Sequence, residues 1–104
     1  QLFQSQIFFM LYSNKLLFMN INELIKIVKN KLEAKIIIQD LKIEDKSFLH
    51  KNHKGNQEGM FHLKLIIKSE ELKKLNKIVS TKKIYNILEY ELKEHIHSIQ
   101  ILLS

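Results

Sequence analysis

The sequence predicts one α/β (α+β) domain of element order α-β-β-α-α-β, with helices covering one face of a three-stranded mixed sheet. Three observations lead there. A length of 104 residues suits a single core of ordinary size. A hydrophobic content of 45% beside 27% charged residues belongs to a folded chain, not a disordered one. Apolar residues recur at helical spacing in two long stretches and alternate in three short ones.

Taken in order, residues 1–18 are apolar, aromatic and almost uncharged, with Lys15 as their one charge. Ser5, Gln6, Ser13 and Asn14 interrupt the run, so it is too broken and short for a membrane span. It is read as an appendage outside the domain, of a kind that fits a presequence remnant. An organellar protein would suit such a segment, and a cytoplasmic protein of bacterial type suits the rest.

The domain is placed at residues 19–104. Asn20 with Glu23 three residues on has the form of a helix capping box. Ile21, Leu24, Ile25, Val28 and Leu32 follow at helical spacing, predicting an amphipathic helix that ends near Glu33. Ala34 to Glu44 is β-branched, and alternation puts Ile37, Leu41 and Ile43 on one face of a strand. A polar loop follows. Phe61 to Lys68 then alternates, with Phe61, Leu63, Leu65 and Ile67 facing one way and His62 and Lys64 the other.

Ser69 to Leu75 reads as a helical turn, capped by Ser69 and with Glu70 and Glu71 in its first turn. A longer helix is expected from about Ser80 to Glu94, burying Ile84, Leu88 and Leu92 with Tyr85 and Ile87 alongside. His97 to Leu103 closes the chain as a third strand, with Ile99, Ile101 and Leu103 on one face. The helices between the last two strands permit a parallel pairing.

Charge and composition limit the chemistry. The formal charge is +6, and every basic side chain is lysine. Arginine reads phosphate and guanine bidentately, so its absence weakens a sequence-specific nucleic-acid reading. With no cysteine, the chain itself supplies no disulfide, thiolate ligand or cysteine nucleophile. Two glycines do not build a phosphate loop, and neither a nucleophile elbow nor an HExxH motif occurs. Glu89, Glu91 and Glu94 are read as solvated helix charges. An enzyme is not expected.

What remains is five histidines: His50, His53, His62, His95 and His97. Neutral imidazole binds zinc, copper or iron, including iron in some iron–sulfur clusters. A lone surface histidine is ordinarily only that, and His95 is read so. His97 shares strand parity with Ile99, so a hydrogen-bonded position at the core edge is a second reading for it.

The order of these residues resembles the BolA family from about Ile21 to Leu103. Its strand-end pattern is met by Leu41, Ile43, Asp45 and Ser47, followed by the loop with His50 and His53. Phe61, His62 and Leu63 then open a strand that leads to Ser69. Ile84, Tyr85, Leu88 and Leu92 match the family's last helix, and Ile96, His97, Ser98 and Ile99 match an isoleucine–histidine–alanine–leucine strand. Where the family commonly has arginine–histidine–arginine, this chain has Ser80, Thr81 and Lys82. Ser80 or Thr81 is expected to cap the helix there.

The resemblance implies an α/β fold akin to a type II KH domain. It also implies a role beside a monothiol glutaredoxin, sharing a 2Fe–2S cluster in a heterodimer. The glutaredoxin and glutathione would supply sulfur, and this chain His97 plus a loop histidine. Counting from Ser47 selects His50, and counting back from His62 selects His53. His62 is assigned a structural or supporting place. The isolated chain is expected to be a monomer without cofactor and without membrane contact. The alternative expectation is a KH-like nucleic-acid-binding regulator using Lys73, Lys74, Lys77, Lys82 and Lys83, although the GxxG loop of KH domains is missing.

Overall fold

The computed structural model describes residues 19–47 and 60–104. Helix α1 covers Ile21–Lys35 and strand β1 Asp40–Asp45. Strand β2 is Phe61–Lys68. Helices α2 (Glu70–Lys73), α3 (Lys77–Ile87) and α4 (Glu89–Glu94) lead to strand β3, Ile96–Leu103. The sheet order is β1-β2-β3, with β1 antiparallel and β3 parallel to β2. This is the expected mixed sheet, with β2 at its centre.

The core lies between one face of that sheet and the helices. Leu63, Leu65 and Ile67 of β2 are buried against Leu24, Val28 and Leu32 of α1, and Ile84 and Leu88 complete the packing. The capping residues lie where backbone amides lack helical partners. Asn20 Oδ1 accepts from the Glu23 N–H at 2.9 Å, and Ser69 Oγ from the Leu72 N–H at 3.1 Å.

Several expectations need correction. The helix runs on to Lys35 and the strand starts only at Asp40, because β2 ends at Lys68, the partner of Asp40. The Gln39 N–H still donates to the Lys68 carbonyl at 2.8 Å, but Ile36, Ile37 and Ile38 have no β2 residue opposite, and Ile37 is 70% exposed instead of sharing the Leu41 face. The long last helix starts earlier than expected, at Lys77. Asn76 caps it, its Oδ1 accepting from the Val79 N–H at 2.8 Å. Ser80 therefore caps nothing: it is fully buried, and its hydroxyl donates to the Leu72 carbonyl at 2.9 Å. The helix also breaks at Leu88, whose φ −99 and ψ 16 separate α3 from α4. Tyr85, expected beside the buried stripe, is exposed.

The last correction is chemical. Glu91 and His95 are buried, not solvated. Glu91 lies three residues beyond Leu88, on the apolar side of α4, and the Lys31 ammonium of α1 meets its Oε2 at 2.6 Å. The same ammonium stands 5.9 Å from the centre of the Tyr90 ring. Glu91 Oε1 and His95 Nε2 are buried with no hydrogen-bond partner among the described residues.

Candidate functional site

The functional candidates gather at the end of the sheet where β2 and β3 begin. Four hydrogen bonds build this end. Asp45 Oδ1 accepts from the Ser47 N–H at 2.9 Å, forming an Asx turn as the chain leaves β1. Ser47 Oγ in turn accepts from the His62 N–H at 3.0 Å, and the Lys46 N–H donates to the His62 carbonyl at 2.7 Å. The Phe61 N–H donates to the His95 carbonyl at 2.9 Å and so ties β2 to the residue before β3. The segment from 48 to 59, which carries His50 and His53, therefore leaves and rejoins the described chain at this end. Both histidines lie outside the described residues.

A register break sets the side chains here. Phe61 pairs with Ile96, but His62 pairs with Ser98, leaving His97 as the extra residue of a β-bulge. The bulge resets the alternation. Ile96 is buried and Ile99 packs on the same core although they are an odd number of residues apart. His97 is consequently exposed, not drawn inward by its parity with Ile99.

His62 is 4% exposed and its Nδ1 is 2.7 Å from Ser98 Oγ. Its ring centre lies 5.0 Å from that of His97, tilted by 49°. A groove of about 360 Å³ continues from His62 along β2 and β3, with Lys46, Lys64 and Gln100 on its walls.

The donor set can now be judged. Among the described histidines only His97 exposes its ring, since His62 and His95 are buried. No group of three or more histidine, aspartate and glutamate side chains able to hold a metal occurs among the described residues. A single exposed imidazole can serve as one metal ligand and needs further donors to complete a set. The lysines expected on the alternative reading are elsewhere. Lys73, Lys74, Lys77 and Lys82 are exposed, and Lys83 pairs with Glu71 at 3.1 Å. None belongs to the rim around His97.

Sequence reasoning did not single out Ser47 and Ser98 as the partners of His62. Asp45 and Ser47 at i and i+2 after a strand were the available signal for the turn. Nothing in the spacing revealed the bulge. No helix among the described residues is long and apolar enough to cross a membrane.

A three-stranded sheet of this topology, backed by helices and presenting one imidazole on an edge bulge, defines a small α+β domain with a histidine-bearing rim. The chain belongs to the BolA-like family: the family model described as BolA-like protein matches residues 32–104. A Haemophilus influenzae protein named DNA-binding transcriptional regulator BolA is 30% identical over 76 residues, covering 73% of this chain and 71% of that protein. Among solved structures, BolA1 from Arabidopsis thaliana superposes with a TM-score of 0.65 at 26% identity, over 76% of this chain and 87% of its own. The BolA domain of SufE1 from the same plant gives 0.63 at 28%, over 74% and 85%. A bol-like protein from Babesia bovis, at 17% identity and a TM-score of 0.59 over 75% and 79%, shares the fold.

Proposed function

We propose that this chain is a non-enzymatic iron–sulfur assembly or trafficking factor that forms a heterodimer with a monothiol glutaredoxin. The carrying observation is His97, an exposed imidazole on a bulge beside the points where the His50 and His53 segment leaves and returns. In this reading the cargo is a 2Fe–2S cluster. His97 and one of His50 or His53 bind its iron, while the glutaredoxin and glutathione bring sulfur that a cysteine-free chain lacks. His62, held by Ser98 and stacked at an angle near His97, keeps the ligand ring in place. Imidazole binds metal only in its neutral form, so protons compete with the cluster for these ligands.

The test is a visible-spectrum titration of cluster-loaded glutaredoxin with this protein. The expected result is a new spectrum at one equivalent, absent with His97→Ala and restored to a different form with His97→Cys. An unchanged spectrum with the native chain defeats the reading.

A second reading has its own support in the name of the Haemophilus relative and in the exposed Lys73, Lys74, Lys77 and Lys82. Nucleic-acid binding through lysines alone falls steeply with salt. Tight DNA binding that persists at physiological ionic strength would move this reading to first place.

A further inference from the structure

The two edges of the sheet are built differently. β2 lies in the middle, so β1 and β3 are the edge strands. In β1, Asp40, Lys42, Glu44 and Asp45 place charge on four of six residues. Charge of this density guards an edge against pairing with another chain. β3 has eight residues and no lysine, aspartate, glutamate or proline among them.

The direction of its amides follows from the last bonds of the ladder. Ser104 donates to the Ile67 carbonyl at 2.9 Å and accepts from the Ser69 N–H at 3.2 Å. By alternation in a parallel pair, the N–H groups of Leu103, Ile101 and Ile99 point away from β2. An uncharged row of outward amides is a template for a further strand.

A cleft of about 390 Å³ opens at the C-terminal end of this strand, where Leu102 and Leu103 meet α2 and the start of α3. Leu72, Leu75 and Leu102 line it beside the polar Ser80, Thr81 and Ser104, and Leu75 and Leu102 are 38% and 44% exposed. The side-chain charges on its lining are Lys73 and Lys77, both positive.

We propose that the β3 edge and this cleft together dock an extended segment of a partner protein. The segment is apolar at alternate positions and acidic at the end that meets Lys73 and Lys77. Its backbone adds a fourth strand to the sheet, one apolar side chain enters the cleft, and its carboxylates face the two lysines. A second copy of this chain fits less well, because each copy carries a formal charge of +6 and presents the same lysines. Nucleic acid would use the lysines and leave the leucine walls and outward amides without a role. Leu102 is about 16 Å of strand away from His97, so the docking surface does not depend on the histidine reading.

The test uses the whole chain and a labelled peptide of alternating valine and threonine, made with two glutamates at either end. Saturable binding is expected, with slowed hydrogen exchange at Ile99, Ile101 and Leu103. Lys73→Glu with Lys77→Glu should weaken it on the order of tenfold, and a peptide carrying lysines in place of the glutamates should bind that variant better than the native chain. If the double variant does not fold, the exchange measurement on the native protein decides alone. Three outcomes overturn the proposal: no saturation below about 1 mM, binding that leaves those amides unprotected, or the same amides protected by self-association without peptide. Displacement of the peptide by single-stranded DNA at physiological salt would assign the surface to nucleic acid instead and overturn it equally.

Discussion

The N-terminal end of β3 is polar and irregular, whereas its C-terminal end is apolar and in register. At the first, a bulge turns His97 out to solvent and His62 is held by Ser98. At the second, Ile101, Leu102 and Leu103 pair without interruption with Leu65, Ile66 and Ile67. The difference shows what each irregularity or regularity is good for. A bulge re-aims one side chain at the cost of ladder continuity, which suits a ligand. An unbroken strand offers a repeating row of amides, which suits recognition of another backbone. One strand thus carries two kinds of surface, and perturbing each end separately tests whether they are independent.

The largest perturbation acts on both ends at once. Leu65 is fully buried at the centre of β2, paired with Ile43 on one side and Ile101 on the other. Leu65→Ala should lower stability by about 3 kcal/mol, as expected for a leucine removed from a packed core. Urea unfolding followed by circular dichroism measures it. Amide exchange should accelerate alike at Phe61, whose N–H is held by the His95 carbonyl, and at Ser104, whose N–H is held by the Ile67 carbonyl, because both ends hang on the same central strand. Loss confined to one end would mean that the sheet is not one cooperative unit.

A smaller perturbation reaches one end through the helices. Lys31 of α1 holds Glu91 of α4, and α4 runs directly into the bulged start of β3. Removing one partner of a fully buried pair costs about 3–5 kcal/mol. Lys31 keeps 42% of its side chain in solvent, so Lys31→Met should cost roughly 1–2 kcal/mol. Adding Glu91→Gln should recover most of that loss by removing the unpaired charge. A double-mutant cycle in urea gives the coupling, and a recovery near zero would show that Glu91 is not held by Lys31.

Much of this molecule is legible in its sequence, and the failures have a shared cause. Alternation in Phe61–Lys68 gave the central strand with both faces right, and Asn20 and Ser69 announced their helices. The start of β1 is hidden in the sequence because Ile36, Ile37 and Ile38 have strong strand character but no β2 residue opposite them. Asn76 does not stand out as the cap of α3 because Ser80 and Thr81 offer the same chemistry a turn later. Glu91 and His95 read as solvated because their residue types outweighed their spacing from Leu88. The rim was legible in composition and order, through the resemblance, but its geometry was not. A bulge adds one residue without any local pattern to mark it, so the exposure of His97 had to come from the register.

The smallest effect separates the two ends most directly. Ser98 stands where the family pattern resembled by this chain has alanine, and its hydroxyl is 2.7 Å from His62 Nδ1. Ser98→Ala removes that hydrogen bond without adding bulk, at a cost of about 1 kcal/mol. The hydroxyl can donate to Nδ1 or accept from it, and losing it changes the environment of that nitrogen in either tautomer, so the nitrogen chemical shifts of the His62 ring should change in the variant. Because the two rings are 5.0 Å apart, the His97 ring signals should broaden or move with them. The amides of Ile101, Leu102 and Leu103 should stay where they are, since their ladder to β2 does not pass through Ser98. Unmoved His62 signals would show that the hydroxyl is not its partner in solution. Moved signals at Leu102 would show instead that the strand transmits a change at the bulge along its whole length, which would join the two surfaces that the register keeps apart.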